Sequence, residues 1–472
     1  MIRLPQKPHH YFLFTALVFG LIYIFIVPPF QSPDEGHHLY RAYHMAEGNW
    51  FGERTADARY GGELPVRLVE IENRFRYLRY NYEGRVEMKV LQSSASVPLQ
   101  AGQTIFTDFP NVAYYLPLPY LTQALAIRIG IAVNLPPLYL LYLSRIVGFL
   151  FWLAVVFVAV RLIPIYKNTF TAIILLPSSL FINSGMTADS FTYGLCYLLF
   201  AYLMKLAYGR TEAKNGVEEV GTNAWIILLG ISLAVTLSKV IYFPLLLLLL
   251  LISPRRFHSP WTKWTFIASL FIINLMTLIL MYSTMKQTFI SYENYNPEYR
   301  ENVQLNKGVN PTQQLDFIIS SPLQFTKIAL RSHLAYAPAA IVHCIGKFGW
   351  EKNYLPFWMV GLLIFMLLVG GFLESSESYY PTKNYRLIFF LTIVAIVGLF
   401  TIVIYMQWSP VRNPTIFALG GRYYLPLLPL FFLLLRLNQF QVNQKVLIRG
   451  LKVITWLGLL AGVYMVISRY WI

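Results

Sequence analysis

Long apolar runs separated by short polar segments dominate the chain. A transmembrane α-helix needs about 20 mostly apolar residues, because each residue advances about 1.5 Å across about 30 Å of hydrocarbon. Runs that reach or approach this length lie at residues 11–27, 138–160, 169–183, 190–207, 223–237, 241–253, 264–283, 355–373, 386–406, 423–435 and 451–468. This pattern predicts an all-α integral membrane protein with about 11 transmembrane helices, within a range of about 10–13.

The distribution of basic residues predicts the orientation of these helices. Cytoplasmic loops of membrane proteins carry an excess of Lys and Arg. With a cytoplasmic N-terminus, sixteen Lys and Arg residues fall in short cytoplasmic segments, against four in short external ones: Lys239, Arg412, Arg422 and Arg469. The opposite orientation would invert this bias, so we expect the N-terminus to be cytoplasmic.

This topology divides the chain into five parts. They are a first transmembrane helix in 1–29, a large external loop in 30–137, transmembrane helices 2–7 in 138–283, a second external segment in 284–354, and transmembrane helices 8–11 in 355–472. Residues 111–133 are apolar enough to cross the membrane, but their prolines and tyrosines, with Arg128, favour an interfacial helix. We therefore expect juxtamembrane helices in both external segments, with a crossing at 111–133 as the open alternative.

Composition supports the membrane class and excludes several others. Of the 472 residues, 56% are hydrophobic and 13% are charged, whereas soluble domains carry about 25% charged residues. The net charge of +16 follows the membrane orientation, so we predict no nucleic-acid partner. Two cysteines, Cys196 and Cys344, exclude a disulfide scaffold and multi-cysteine metal sites. The sequence also lacks a P-loop, a GxGxxG turn, HExxH and GxSxG.

A polar cluster follows the first apolar run. Ser32 and Glu35 have the spacing of a capping box, with Ser32 as the N-cap of a helix that ends before Gly48. Helical spacing then places Asp34 and His38 on one face, with Arg41 one turn further along.

Two interpretations of this cluster stay open. In the structural one, Glu35 caps the helix and Asp34 complements its dipole. In the functional one, a carboxylate acts as a general base, or as a ligand of a divalent cation held by Asp34 with Glu35 or His38.

Three further polar features fall on the same predicted face. Asp189 lies in a short loop, Lys239 in a tight turn, and Arg422 with Tyr423 at the start of the tenth apolar run. Each has a simpler explanation as a helix cap, an interfacial anchor or a snorkelling cation. Together they suit a phosphate-bearing lipid substrate, because arginine binds phosphate through its planar fork and lysine as a point charge.

Two more residues are ambiguous on sequence alone. Arg145 lies inside the second apolar run, where an ionisable side chain is either functional or paired with a neighbouring helix. Trp350, just before the eighth run, is either an interfacial anchor or a platform for a sugar ring.

Several motifs follow one another in a set order along the chain. They are Pro-Pro…Pro-Asp-Glu-x-x-His-x-x-Arg in 28–41, Tyr-Tyr-Leu-Pro in 114–117, the Asp189 loop, Lys239 with Tyr242, Gly-Trp in 349–350 and Gly-Arg-Tyr in 421–423. This order resembles a bacterial family of multi-pass membrane proteins of unknown function, related to the GT-C glycosyltransferases. The insertion Phe30-Gln31-Ser32 departs from the family pattern and affects the register of the helix that follows.

The resemblance implies a GT-C-like fold and transfer of a sugar from a polyprenyl-phosphate donor to a glycan or glycolipid acceptor. It places the site on the external face of the bacterial cytoplasmic membrane. In that superfamily an acidic residue of the first external loop activates the acceptor or coordinates a metal, so Asp34 takes the catalytic role and Glu35 supports it. The residues expected to bind substrate are His38, Arg41, Arg145, Asp189, Lys239, Tyr242, Trp350, Arg422 and Tyr423. The alternative is a flippase or export partner for lipid-linked glycans, which needs the same cations but no catalytic carboxylate.

Overall fold

The computed structural model describes residues 5–209, 220–286, 290–301, 303, 305–350, 352–375, 382–435 and 442–472. Most of these residues are helical, which confirms an all-α membrane protein as the class. In the described part of the chain, seven helices are long and apolar enough to cross a membrane, judged by length and composition. They are Pro8–Ile26, Pro137–Leu162, Asp189–Tyr208, Pro260–Tyr282, Pro322–Gly346, Lys383–Trp408 and Gln444–Tyr470.

The N-terminal third holds one long helix followed by short elements. Its helices are α1 (Pro8–Ile26), α2 (Glu35–Ala46), α3 (Val66–Phe75), α4 (Met88–Ala95), α5 (Pro110–Ala113) and α6 (Leu121–Ala132). Its strands are β1 (Glu53–Arg54), β2 (Tyr60–Pro65) and β3 (Thr104–Asp108), which form an antiparallel sheet in the order β1-β2-β3. The sheet was not predicted, because strands this short show no clear alternation of polar and apolar residues.

The remainder is a bundle of helices around one apolar core. Its helices are α7 (Pro137–Leu162), α8 (Lys167–Ile174), α9 (Pro177–Asn183), α10 (Asp189–Tyr208), α11 (Thr222–Ser238), α12 (Pro260–Lys286), α13 (Pro311–Ser320), α14 (Pro322–Gly346), α15 (Phe357–Leu373), α16 (Lys383–Trp408), α17 (Leu428–Leu434) and α18 (Gln444–Tyr470). Two 3₁₀ helices, Val240–Leu251 and Gly421–Leu427, complete the set that matters for the site.

Prolines explain where the helices differ from the apolar runs. The run at 169–183 is divided into α8 and α9, since Pro177 disfavours helical geometry at the residue before it. The run at 241–253 forms a 3₁₀ helix with Pro244 inside it. Helix α6 and the 3₁₀ turn before it form one stretch, Leu118–Ala132, which is shorter than the about 20 residues of a crossing helix. Arg128 in α6 pairs with Glu47, just after α2, and this contact favours the interfacial placement.

The 25-residue helix α14 was not singled out in the sequence, because charged residues interrupt its apolar run. Its two ends contact the same end of the bundle. Phe325 stacks on Tyr405 near the end of α16, and Phe348, just after α14, stacks on Tyr23 near the end of α1. We therefore describe α14 as extending along the end of the bundle that carries α2, which we call the site end.

A buried ion pair fixes the bend between α1 and α2. The guanidinium of Arg145, on α7, donates to both carboxylate oxygens of Glu35 at 2.8 and 2.6 Å, and both side chains are fully buried. The same guanidinium donates to the carbonyls of Ile24, Val27 and Pro28. These carbonyls lie at the C-terminal end of α1, where helices leave backbone acceptors unpaired.

The predicted capping box is wrong for the same reason. The side chain of Glu35 is bound to Arg145, so it cannot reach back to the backbone of Ser32. Instead α2 begins at Glu35, and Asp34 is its N-cap in the left-handed conformation, with a φ of 61° and no side-chain cap bond. A left-handed residue other than glycine costs on the order of 1 kcal/mol or more, so its surroundings must hold Asp34 in place.

We predict that Glu35→Gln lowers the free energy of unfolding by about 3–5 kcal/mol, because it leaves the Arg145 charge buried without its partner. The measurement is thermal unfolding of the detergent-solubilised protein. The matched control is Glu70→Gln, which removes a carboxylate from the exposed pair with Arg67 and should change stability by less than about 1 kcal/mol.

Equal unfolding temperatures for Glu35→Gln and Glu70→Gln would contradict a structural role for the pair. Unchanged stability with lost activity in Glu35→Gln would make Glu35 a catalytic group.

Candidate functional site

Four charged side chains form a continuous row at the site end of the bundle. Asp34 accepts a hydrogen bond from the guanidinium of Arg422 at 2.9 Å, and Arg422 Nε lies 3.9 Å from a carboxylate oxygen of Asp189. The other oxygen of Asp189 accepts a hydrogen bond from Lys239 Nζ at 2.7 Å. We call Asp34, Arg422, Asp189 and Lys239 the charged row. Its charges alternate in sign, so each charge has an opposite neighbour.

The members of the row come from four distant parts of the sequence. Asp34 precedes α2, Asp189 begins α10, Lys239 follows α11, and Arg422 lies in the 3₁₀ helix Gly421–Leu427. That 3₁₀ helix packs closely on α14, because a Cβ at Gly421 would clash with the side chain of His343. The lack of a side chain at Gly421 therefore allows the close packing that positions Arg422 within the row.

The charged row lies at one end of a cavity of about 660 Å³. This volume is within the range of small-molecule and cofactor sites. The rest of its wall is largely apolar and comes from residues 111–116 and from α11, α12, α13 and α16. Leu278, Met281, Phe400, Val403 and Ile404 are among the residues that face it. The cavity thus combines a charged end with an apolar wall.

Aromatic rings hold Lys239 in place beside the cavity. Its Nζ lies 5.0 Å from the ring centroid of Tyr423 and 5.8 Å from that of Tyr115, which are cation–π distances. The Tyr423 ring in turn stacks on Phe400 with centroids 5.7 Å apart. Lys239 is therefore fixed by the carboxylate of Asp189 and by two rings.

Electrostatics set the protonation states of the two groups from α2. Burial opposes ionisation of Asp34, but Arg422 and His38 outweigh it and lower the pKa of the Asp34 carboxyl. Burial lowers the pKa of His38 to about 4, and the nearby carboxylates of Asp34 and Asp189 offset this only in part. At neutral pH Asp34 is therefore a carboxylate, and His38 is a neutral imidazole with Nδ1 2.6 Å from the hydroxyl of Tyr120.

The structure brings six of the predicted site residues to this cavity: Asp34, His38, Asp189, Lys239, Arg422 and Tyr423. Two others, Tyr242 and Arg41, lie outside the lining and bind the backbone of segments that contribute to it. The Tyr242 hydroxyl donates to the carbonyl of Tyr423 at 3.1 Å, and the buried Arg41 guanidinium donates to the carbonyls of Trp50 and Tyr115 at 2.5 and 3.2 Å.

The other three predicted residues do not line the cavity. Glu35 and Arg145 form the buried pair described above. Trp350 donates from Nε1 to the carbonyl of Phe30 at 3.4 Å, and the guanidinium of Arg79 lies 4.4 Å from its ring centroid. These contacts connect structural elements. They place Glu35, expected to support catalysis, and Arg145 and Trp350, expected to bind substrate, outside the wall of this cavity.

Sequence reasoning missed several residues that line the cavity. Asn111 lines it, and the side-chain oxygen of Asn111 lies 2.5 Å from Nδ1 of His37, which is outside the lining. Gln407 also lines it, and its side-chain carbonyl oxygen accepts a hydrogen bond at 3.5 Å from the hydroxyl of Tyr114, a residue of the Tyr-Tyr-Leu-Pro motif. Gln407 carried a usable signal, since it is a polar residue at the end of the long apolar helix α16. Phe400 carried none, because one more aromatic residue in an apolar run is unremarkable in a sequence.

The residues present do not fit a divalent cation. Within the described ranges, no group of three or more His, Cys, Asp and Glu residues could hold a metal ion. The carboxylates of Asp34 and Asp189 already face Arg422 and Lys239, and that of Glu35 faces Arg145. We therefore derive no chemical step through a metal.

The family model described as "Predicted membrane protein (DUF2142)" matches residues 17–431. The match covers most of the chain, so the chain belongs to this family, whose function is unknown, and the resemblance to such a family is confirmed. No curated protein matches the chain, and no solved structure does. The family description names a membrane protein without an activity, so a function has to be argued from the site.

Proposed function

We propose that this member of the family is a GT-C-type membrane glycosyltransferase. It transfers a sugar from a polyprenyl-phosphate-linked donor to a glycan or glycolipid acceptor at the cell surface. The supporting observation is the charged row at one end of a cavity with apolar walls. A lipid-linked sugar phosphate has the matching two parts, an anionic phosphate and a hydrocarbon chain.

The proposed topology has eleven membrane crossings, a cytoplasmic N-terminus and a site on the external face of the bacterial cytoplasmic membrane. Asp34 follows α1 and Lys239 follows α11, whereas Asp189 and Arg422 precede α10 and α17. In an alternating topology these positions share one side of the membrane. The excess of Lys and Arg in the opposite segments supports the external side for the site.

The charged part of the cavity binds the phosphate of the donor, and the apolar part binds its prenyl chain. Arg422 and Lys239 bind the phosphate, the first through its planar fork and the second as a point charge. The prenyl chain lies along the wall formed by α12 and α16, where Leu278, Phe400 and Ile404 face the cavity.

The proposed reaction is a single displacement at the anomeric carbon. The acceptor hydroxyl oxygen bonds to this carbon, while the bond from the carbon to the phosphate oxygen breaks and leaves its electron pair on the phosphate. The hydroxyl proton passes to the carboxylate of Asp34, which acts as general base. Arg422 and Lys239 stabilise the charge that develops on the departing lipid phosphate.

We predict that Asp34→Asn abolishes sugar transfer but retains donor binding, since the amide cannot accept the proton while both cations remain. General-base catalysis typically contributes about 10²–10⁴-fold in rate. The measurement is mass spectrometry of polyprenyl phosphate released from a panel of polyprenyl-phosphate sugars in nanodiscs. Asp316→Asn, which changes an exposed carboxylate outside the cavity lining, is the matched control.

Near-normal turnover in Asp34→Asn would reject Asp34 as the base. Donor movement across the membrane without sugar release, unaffected by Asp34→Asn, would support the lipid-linked glycan flippase instead.

We also predict that Arg422→Gln slows transfer by about 10²–10³-fold, as removal of a single donor to a developing negative charge does in other enzymes. The measurement is the single-turnover rate of polyprenyl phosphate release with saturating donor. Arg412→Gln, in the same segment but exposed and outside the cavity lining, should leave the rate within about twofold. Equal rates for the two variants would reject the phosphate-binding role of Arg422.

A further inference from the structure

We propose that Arg422 changes partner when the donor binds, leaving the carboxylate of Asp34 for the donor phosphate and so freeing Asp34 to accept the acceptor proton. This inference rests on the proposed function, because it requires an anionic lipid in the cavity. In this proposal Arg422 has two roles. It binds the donor phosphate, and until a donor is present it holds the carboxylate of Asp34 in an ion pair.

The two ion pairs of the charged row differ in accessibility. In the pair of Lys239 and Asp189, the side chains are 10% and 5% exposed, and the two atoms are 2.7 Å apart. In the pair of Arg422 and Asp34, they are 26% and 16% exposed and 2.9 Å apart. A ligand that enters the cavity therefore reaches the pair of Arg422 and Asp34 more readily than the pair of Lys239 and Asp189.

The contacts of Arg422 also favour movement of its side chain alone. Its carbonyl accepts a hydrogen bond from the Tyr193 hydroxyl at 2.9 Å, which helps to fix its backbone. Its guanidinium donates to Asp34, whereas the 3.9 Å separation from Asp189 exceeds hydrogen-bond length. A small rotation would break the bond to Asp34 and leave the guanidinium close to Asp189.

A phosphate competes well for this guanidinium. Its oxygens can accept two parallel hydrogen bonds from the planar fork, whereas the carboxylate of Asp34 accepts from one nitrogen. Once Arg422 has turned to the phosphate, Asp34 loses an opposite charge and gains a like charge nearby. Both changes increase the proton affinity of a carboxylate. The carboxylate of Asp34 thus becomes able to accept a proton when the sugar donor is bound.

The test is equilibrium binding of a C55 polyprenyl phosphate to the purified full chain in phosphatidylcholine nanodiscs, with the uncharged polyprenol as the reference ligand. Asp34→Asn should tighten binding of the phosphate by about tenfold, because Arg422 then has only a hydrogen bond to a neutral amide oxygen to give up, in place of an ion pair. In the Arg422→Gln background the same substitution should change affinity by less than about twofold. Affinity for polyprenol should not change in any variant.

Each other result has a defined meaning. If Asp34→Asn increased the affinity for polyprenyl phosphate equally in the wild-type and Arg422→Gln backgrounds, the exchange would be overturned, because removal of a negative charge would be enough to explain the increase. Phosphate-dependent binding that Asp34→Asn does not tighten would overturn the exchange and leave the proposed function standing. Failure of the wild type to distinguish polyprenyl phosphate from polyprenol would overturn both.

If Arg422→Gln is not monodisperse, Asp189→Asn provides the comparison. Removal of either carboxylate lowers the negative charge of the cavity. A pure charge effect therefore predicts the same increase in affinity for polyprenyl phosphate in Asp34→Asn and in Asp189→Asn. The exchange predicts a larger gain for Asp34→Asn, because Arg422 donates a hydrogen bond to Asp34 and not to Asp189.

Discussion

The hydrogen-bonded ion pair of Arg145 and Glu35 is the contact on which the geometry of the site depends. Arg145 binds the last carbonyls of α1, and Glu35 Oε1 also accepts the backbone N–H of Met186 at 2.8 Å. Glu35 is adjacent to Asp34, and Met186 lies just before Asp189. One buried carboxylate therefore positions two segments that each contribute an acidic residue to the charged row. Desolvation of both charges offsets much of their attraction, whereas loss of either partner would leave the other buried and uncompensated.

Alternation of sign allows the charged row to exist beside an apolar wall. An isolated buried charge costs several kcal/mol, whereas each carboxylate here lies within 4 Å of a cation. The same balance constrains any anionic ligand, because a phosphate that enters a neutral row must weaken an existing bond between a carboxylate and a cation. For such a ligand, the strength of the existing ion pairs therefore matters as well as the number of cations. The partner exchange proposed for Arg422 is one resolution of this competition.

The sequence predicted the four members of the row, and it did so through topology. Hydropathy and the Lys and Arg bias are properties of whole segments, so they assign segment ends to one side of a membrane without any knowledge of contacts. The difference between Asp34 and Glu35 could not be predicted in this way. The two are adjacent carboxylates in one motif, and only the position of Arg145, far along the chain, separates a buried structural group from one that faces the cavity. The packing of α14 against Gly421 could not be predicted from the sequence either, because it joins segments that are distant along the chain.

The 3₁₀ winding of Val240–Leu251 lengthens the segment that follows Lys239. Val240–Leu251 has 12 residues, which would extend about 18 Å as an α-helix but about 24 Å at the 2.0 Å rise of a 3₁₀ helix. The tighter winding extends the segment, so Lys239 remains at the site end while the following chain reaches the opposite end. Pro244 in this helix, and Pro426 in the helix that carries Arg422, cannot donate the backbone hydrogen bonds of a regular α-helix. A proline therefore lies a few residues downstream of each cation and removes one backbone donor there, but it does not by itself dictate the 3₁₀ winding, since α14 remains α-helical around Pro338.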